Sequence, residues 1–148
     1  EYMPDESEYQ DDMAQFLADN GVNLVIGTHP HVIEPARYVG DTLVYYSMGN
    51  LLCSQYQDEN YNKVTSILAT MTVKKTTKDG KTKITFENLE NNLLYCYFNQ
   101  ATWRDHLIIP FSSSEIKEYL PEYKEVYNTY KNIFLKYDKT LPFTACAK

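Results

Sequence analysis

The stretch NGVNLVIGTHPHVIEP, residues 20–35, decides how this chain is read. Residues 22–27, a β-branched run ending in glycine, predict a buried strand. His29 and His31 follow at its carboxyl end with Pro30 between them. In open α/β sheets, ligands bind at that edge. Two histidines at i and i+2 in an irregular loop point into one region without crowding each other. The intervening proline fixes φ and lowers the entropy lost on ordering the loop. Neutral imidazole is the commonest nitrogen ligand for Zn, Mn, Fe and Co. The same pattern also reads as a polar loop whose histidines hydrogen-bond backbone, and a bare His-x-His does not choose between the two.

Working outward, residues 7–21 carry a capping box, Ser7 with Gln10 three positions on. Tyr9, Met13, Phe16 and Leu17 then recur at helical spacing, and Gly21 after Asn20 is a left-handed stop. Helix, tight turn, strand is one unit of an α/β sheet. Downstream, two short strands are expected at about 36–39 and 42–46, joined at Gly40-Asp41. Residues 63–76 alternate, with Ile67, Ala69, Met71 and Val73 on one face. A hairpin turn at 78–81 leads to a strand at 83–89, and a further strand is expected at 93–100. Near the end, Ser112 to Glu115 offers a second capping box and Pro121 suits a first helical turn. Tyr123, Val126, Tyr127, Tyr130, Ile133, Phe134 and Tyr137 then keep helical spacing over four turns, which predicts a terminal amphipathic helix on the sheet. The 148 residues are read as one domain or part-domain, with a motif-bearing segment 1–56, a hairpin and sheet segment 57–110 and a helical segment 111–148.

Composition narrows the function. A net charge of −6 argues against a nucleic-acid partner, which needs a surplus of Lys and Arg on one face. The lysines of 74–83 surround a glycine turn and read as solvated hairpin positions. Three cysteines, Cys53, Cys96 and Cys146, form no CxxC; one bridge plus a free thiol is compatible with them and not required. No apolar run approaches the ~20 residues that span a bilayer. Neither GxSxG, a P-loop, GxGxxG nor an EF-hand loop is present. The chain opens without an initiator Met and enters a helix at once, which reads like a piece of something longer.

Around the histidines, Glu34 is a candidate carboxylate behind the ligands or a general acid/base, and Arg37 a candidate anion binder. Either also reads as a surface group. In YYSMGN (45–50), Ser47 and Asn50 are candidates to hydrogen-bond a substrate at the same sheet edge; the other reading is a turn with Gly49 at positive φ and Asn50 capping the backbone. Asp11, Asp12, Asp58 and Glu59 read as helix-start and loop charges.

Taken together, residues 20–52 resemble the bacterial poly-γ-glutamate capsule-biosynthesis (CapA-like) proteins of the calcineurin-like metallophosphoesterase superfamily. The resemblance is carried by Gly27, His29, Pro30, His31, Val32, Pro35, Tyr46, Ser47, Gly49 and Asn50 in order and at family spacing. It is strong over about residues 1–56 and loose beyond. It implies an α/β sandwich of which this chain is the C-terminal half, with mixed sheet, β-hairpins and the terminal helix. It also implies a divalent, dinuclear metal centre (Mn, Fe or Zn) in the complete protein, with His29 and His31 as metal-binding and catalytic residues and Glu34, Arg37, Ser47 and Asn50 near the substrate.

The superfamily's other ligands come from its N-terminal half, and none of those motifs is found here; Glu1-Tyr2 reads as the remnant of the last of them. Two metals need roughly six or more protein ligands, so this chain alone is expected to be catalytically incomplete. The implied activity is metal-assisted hydrolysis or transfer on a phosphoester substrate or anionic polymer, with the N-terminal half of the same protein as partner and an extracytoplasmic, envelope-associated location. An exposed sheet face is expected to favour self-association. Two other readings stand beside this one. One is a non-catalytic envelope binding or scaffold module that has lost its metal chemistry; the other is a small self-contained metal site in which His106 joins the pair.

Overall fold

The computed structural model describes residues 2–55 and 61–148; Glu1, Asp58 and Glu59 lie outside the described residues. The chain is an α/β protein, with two three-stranded sheets among the described residues. Helix α1 (Glu8–Asp19) starts at the expected capping box: Ser7 Oγ accepts from Gln10 N at 3.3 Å, and Ser7 N donates to Gln10 Oε1 at 2.8 Å. Strand β1 (Leu24–Ile26) then pairs in parallel with β3 (Thr42–Tyr45), which pairs antiparallel with β2 (Ala36–Val39). The spatial order is β1-β3-β2, so β1 has a neighbour on one side only among the described residues. That placement corrects the expectation of a buried strand: Leu24 and Val25 are half-buried and Ile26 is exposed.

The apolar stripe of α1 is also not where a core stripe belongs. Ala14 is the residue it buries, against Val44 and Tyr46, while Tyr9, Met13 and Phe16 are 72, 38 and 60% exposed. Periodicity reveals that a helix has an apolar face and is silent on what covers it. Asp11, read as a helix-start charge, instead ties α1 to the sheet through Arg37 and Tyr46.

The second sheet is an antiparallel meander of β4 (Thr65–Lys78), β5 (Lys81–Asn99) and β6 (Arg104–Pro110). Asp79 and Gly80 both take positive φ, 52° and 74°, as a two-residue turn between twisted strands requires. The strands expected at 83–89 and 93–100 are one continuous β5. The polar run between them, residues 90–92, pairs in register with β4, and the one register shift lies just before it, at Asn88 and Leu89 opposite Met71, with Asn88 at φ 53°. Along β4 the expected face runs from Ile67, buried, through half-buried Ala69 and Met71 to exposed Val73, because the far half of the hairpin leaves the core.

A short 3-10 turn (Asn62–Val64) precedes β4, and helices α2 (Ile116–Tyr119) and α3 (Tyr123–Phe134) follow β6. The second capping box does not form: Ser113 Oγ accepts from Glu115 N at 3.2 Å, a local turn, and Glu115 precedes α2 without a side-chain cap. α3 ends at Phe134, short of the four turns expected, and Tyr137 lies beyond it with its hydroxyl on Glu6. Tyr123, Val126, Tyr127, Tyr130 and Phe134 bury its apolar face in a core that includes Leu43 and Tyr45 of the first sheet and Leu93, Tyr95 and Ile109 of the second.

Two glycines permit the sheets and the loop after β1 to approach. A Cβ on Gly27 would lie 2.0 Å from the Tyr46 carbonyl oxygen. One on Gly49, at φ 73°, would lie 2.5 Å from the Thr65 carbonyl oxygen, where Gly49 bridges to Ser66 and joins the sheets.

Candidate functional site

The loop leaving β1 carries both histidines in left-handed backbone, His29 at φ 100° and His31 at φ 65°. Such conformations cost a non-glycine residue about 1–3 kcal/mol and persist where the surroundings over-determine them. Here Pro30 is buried and its carbonyl accepts from Tyr2 N at 3.0 Å. Upstream, Gly27 N donates to Tyr45 O at 2.7 Å; downstream, Glu34 N donates to Ser47 O at 3.1 Å and Tyr46 N to Pro35 O at 3.1 Å, so both ends of the loop are laced to the end of β3 and the residues just after it. The two imidazoles face one region, with ring centroids 6.0 Å apart. His29 is exposed and His31 half-buried, its ring stacked on Tyr2 at 5.9 Å.

Asn50 fixes the protonation pattern of His31. Its Nδ2 donates to the Lys63 carbonyl oxygen at 3.0 Å and to Gln55 Oε1 at 3.2 Å. A carbonyl oxygen only accepts, so the amide nitrogen must face it and Oδ1 must face His31 Nδ1, 2.9 Å away. His31 therefore carries its proton on Nδ1, and Nε2 presents a lone pair in the neutral ring. An oxygen held against the far nitrogen is how a metal-binding histidine is oriented. His29 and His31 thus suit a divalent cation as two nitrogen donors. Among the described residues no group of three or more His, Cys, Asp and Glu stands together as a ligand set, so His106 does not join the pair. It lies instead against Phe98 at 5.5 Å, with Ser54 Oγ 2.8 Å from its Nε2.

Beside His29 opens a cleft of about 640 Å³ lined by Asp5, Glu6, Gln10, Thr28 and Glu34 among others. Glu34 is only 2% exposed, and Gln10 Nε2 donates to its Oε2 at 2.6 Å. Burial raises its pKa to about 7, against the smaller opposing effect of the Gln10 bond. A carboxyl titrating near neutrality can give or take a proton. Gln10 thus serves twice, its oxygen capping α1 and its nitrogen holding Glu34.

The other two candidates have structural partners. Arg37, on β2, donates from Nη2 to Asp11 Oδ1 at 2.7 Å and to the Tyr46 hydroxyl at 2.9 Å, and its guanidinium covers the Tyr137 ring at 5.1 Å. Ser47 is buried, and its Oγ accepts from Gly49 N at 3.3 Å, shaping the turn that delivers Asn50. The structure therefore gathers His29, His31, Asn50 and Glu34 around the loop, while Arg37 ties α1 to β2. Sequence reasoning missed Gln10 and Lys63. Gln10 was legible only as a cap, and Lys63 acts through its carbonyl, which leaves no side-chain signal.

The same segment carries the likeness to known proteins. Residues 1–55 match the family model described as bacterial capsule synthesis protein PGA_cap. Over residues 1–55 this chain is similar to CapA proteins. It is 36% identical over 55 residues to the PGA biosynthesis protein CapA of Bacillus subtilis (strain 168), and 31% identical over 55 residues to the capsule biosynthesis protein CapA of Bacillus anthracis. Each alignment covers 37% of this chain, and 14% and 13% of the two relatives respectively. The CapA-like segment thus contains α1, the first sheet, the histidine loop and Asn50. No helix among the described residues is long and apolar enough to cross a membrane.

Proposed function

We propose that this chain is part of a capsule-synthesis protein with a metallophosphoesterase-like fold, in which His29 and His31 ligate a divalent metal at the envelope. One observation carries the reading: the Asn50 amide, oriented by the Lys63 carbonyl, holds the Nδ1 proton of His31 and leaves Nε2 as a donor beside His29. The CapA-like match over residues 1–55 supports the capsule role, and the remaining ligands would come from the rest of a longer protein.

A bound divalent metal supplies Lewis-acid stabilisation of developing charge on a phosphoryl or related group. The chain's own residues do the rest. Asn50 sets the His31 tautomer and Tyr2 limits its ring to one face. Glu34, with Oε2 held by Gln10, holds or releases a proton at its carboxyl group on the wall of the cleft shared with His29. Lys136 pairs with Asp5 at 2.9 Å and stands 3.9 Å from Glu6 on the same wall, which offsets their charge and leaves Glu34 as the carboxyl beside His29 without a cationic partner of this kind among the described residues.

The test is elemental analysis of the full-length protein purified with Mn, Fe or Zn. His29→Ala and His31→Ala are each expected to lower metal content, with α/β circular dichroism retained. Unchanged stoichiometry in both variants overturns the ligand assignment. It would favour the non-catalytic binding module, for which the exposed Tyr9, Met13 and Phe16 on α1 supply a contact face.

A further inference from the structure

We propose that Cys53 and Cys96 form a reversible disulfide that clips the Asn50-bearing segment onto β5. This rests on a side-chain cluster outside the histidine site and does not depend on the metal reading. The cysteines are 43 residues apart in sequence, so no spacing motif announces them. In the fold, Cys96 Sγ accepts from Cys53 N at 3.5 Å, and lies 3.6 Å from the Cys53 carbonyl oxygen. Next to them, Ser54 Oγ lies 2.8 Å from His106 Nε2 on β6, so the Cys53 segment is already docked on the second sheet.

The two sulfurs are unlike. Cys96 is buried in β5, while Cys53 is half-exposed among exposed Leu51, Leu52 and Ser54. The neighbouring Cys53 side chain lowers the Cys96 pKa to about 6, helped by the Cys53 backbone N–H and by His106 and opposed by burial, while the closeness of Cys96 and burial push the Cys53 thiol up. Cys53 is therefore the sulfur that meets solvent, and Cys96 the more acidic thiol behind it.

The bond forms by exchange with an external disulfide, for which oxidised glutathione is the probe, at a rate set by how often Cys53 loses its proton. Cys53, the sulfur that solvent reaches, loses its proton to water and attacks one glutathione sulfur, forming a mixed disulfide and expelling one glutathione thiolate, which takes up that proton. Cys96 thiolate then attacks Cys53 Sγ, forming the internal bond and expelling the second glutathione thiolate. The protein loses two hydrogens and two electrons, and one oxidised glutathione becomes two reduced ones.

The consequence reaches the histidine loop. Cys53 Sγ donates to the Lys63 carbonyl oxygen at 2.9 Å, the same oxygen that orients Asn50. Oxidation removes that donor and pins the chain three residues beyond Asn50. The pair is therefore a redox-sensitive clamp on the partner of His31.

The experiment is incubation of the 148-residue chain with oxidised glutathione, alkylation of remaining thiols and non-reducing peptide mass spectrometry. The expected product is a Cys53–Cys96 linked peptide lighter by two hydrogens, with Cys146 alkylated. The unfolding midpoint should rise by roughly 5–10 °C and return on reduction. Cys146→Ser should keep this response, and Cys53→Ser, which alters only a half-exposed sulfur, should lose it. Recovery of both residues alkylated, a persistent glutathione adduct on Cys53, or loss of the response in Cys146→Ser would each overturn the proposal.

Discussion

Asn50 Oδ1 stands 2.9 Å from His31 Nδ1, and the opposite face of the same amide is committed to the Lys63 carbonyl at 3.0 Å. The amide cannot flip without setting its nitrogen against the histidine and its oxygen against another oxygen. Removing it should release the tautomer rather than the fold. Asn50→Ala in the full-length protein is therefore expected to weaken metal binding by about 10–100-fold, with little change in circular dichroism. Isothermal titration with Mn or Zn measures it. An affinity unchanged from wild type would mean that Asn50 serves only the turn.

Gly27 and Gly49 should tolerate substitution worse than any other glycine. At Gly27 a methyl group meets the Tyr46 carbonyl oxygen at 2.0 Å; at Gly49 it meets the Thr65 carbonyl oxygen at 2.5 Å in left-handed backbone. Both obstacles are main chain, so relief requires the strands to part. Gly27→Ala and Gly49→Ala are each expected to cost about 2–4 kcal/mol in urea denaturation. Gly21→Ala, left-handed but with nothing within 4 Å, should cost about 1 kcal/mol. Equal costs at all three positions would refute the close-approach account.

Glu34 makes stability depend on pH in a direction opposite to most carboxylates. Its folded pKa is raised from 4.5 to about 7 by burial. Below the unfolded value both states are protonated and the folded state bears no charge burial. As pH rises from 4.5 toward 7, the unfolded state ionises first and stability falls, levelling off above 7. The contribution lost is at most about 3 kcal/mol. Glu34→Gln, which keeps an oxygen for Gln10 Nε2, should flatten this part of the profile and be more stable than wild type at pH 8. Denaturant midpoints between pH 5 and 8 decide it, and parallel profiles for the two proteins would count against a buried carboxylate.

How much of this was legible depends on whether the signal was local. Ser7 with Gln10, Gly40-Asp41 and Asp79-Gly80 carry their turn chemistry within a few residues, so α1, the β2–β3 hairpin and the β4–β5 turn are readable in advance. The continuity of β5 through residues 90–92 is not, because a polar stretch of strand and a polar loop share the same residues, and only pairing with β4 distinguishes them. The exposure of Tyr9 and Phe16 was unreadable for a related reason: an apolar stripe does not name its partner. At the candidate site, the histidine pair and Asn50 were visible as motif residues. Their relation depends on the Lys63 carbonyl, and the Glu34 environment depends on Gln10, 24 residues away. The Cys53–Cys96 contact spans 43 residues and belongs to the same class.

Asn91 offers the sharpest test of how the carboxyl-terminal tail is held. It is fully buried on β5, accepts from the Tyr45 hydroxyl at 2.9 Å through Oδ1 and donates through Nδ2 to the Pro142 carbonyl at 2.8 Å. Its own backbone carbonyl accepts from Thr144 N at 2.9 Å. One side chain thus joins the first sheet, the second sheet and the tail. Asn91→Ala leaves the buried Tyr45 hydroxyl and the Pro142 carbonyl without their partner and opens a small cavity, so it should cost about 2–4 kcal/mol. Tyr45→Phe removes only the hydroxyl and leaves Asn91 its bond to Pro142, so about 1 kcal/mol is expected. Limited proteolysis reads the difference in place: the Asn91→Ala protein should be cut in residues 138–148 under conditions where Tyr45→Phe stays intact. If both variants resist cleavage equally, the tail is held by the packing of Leu141 and Phe143 and not by the amide.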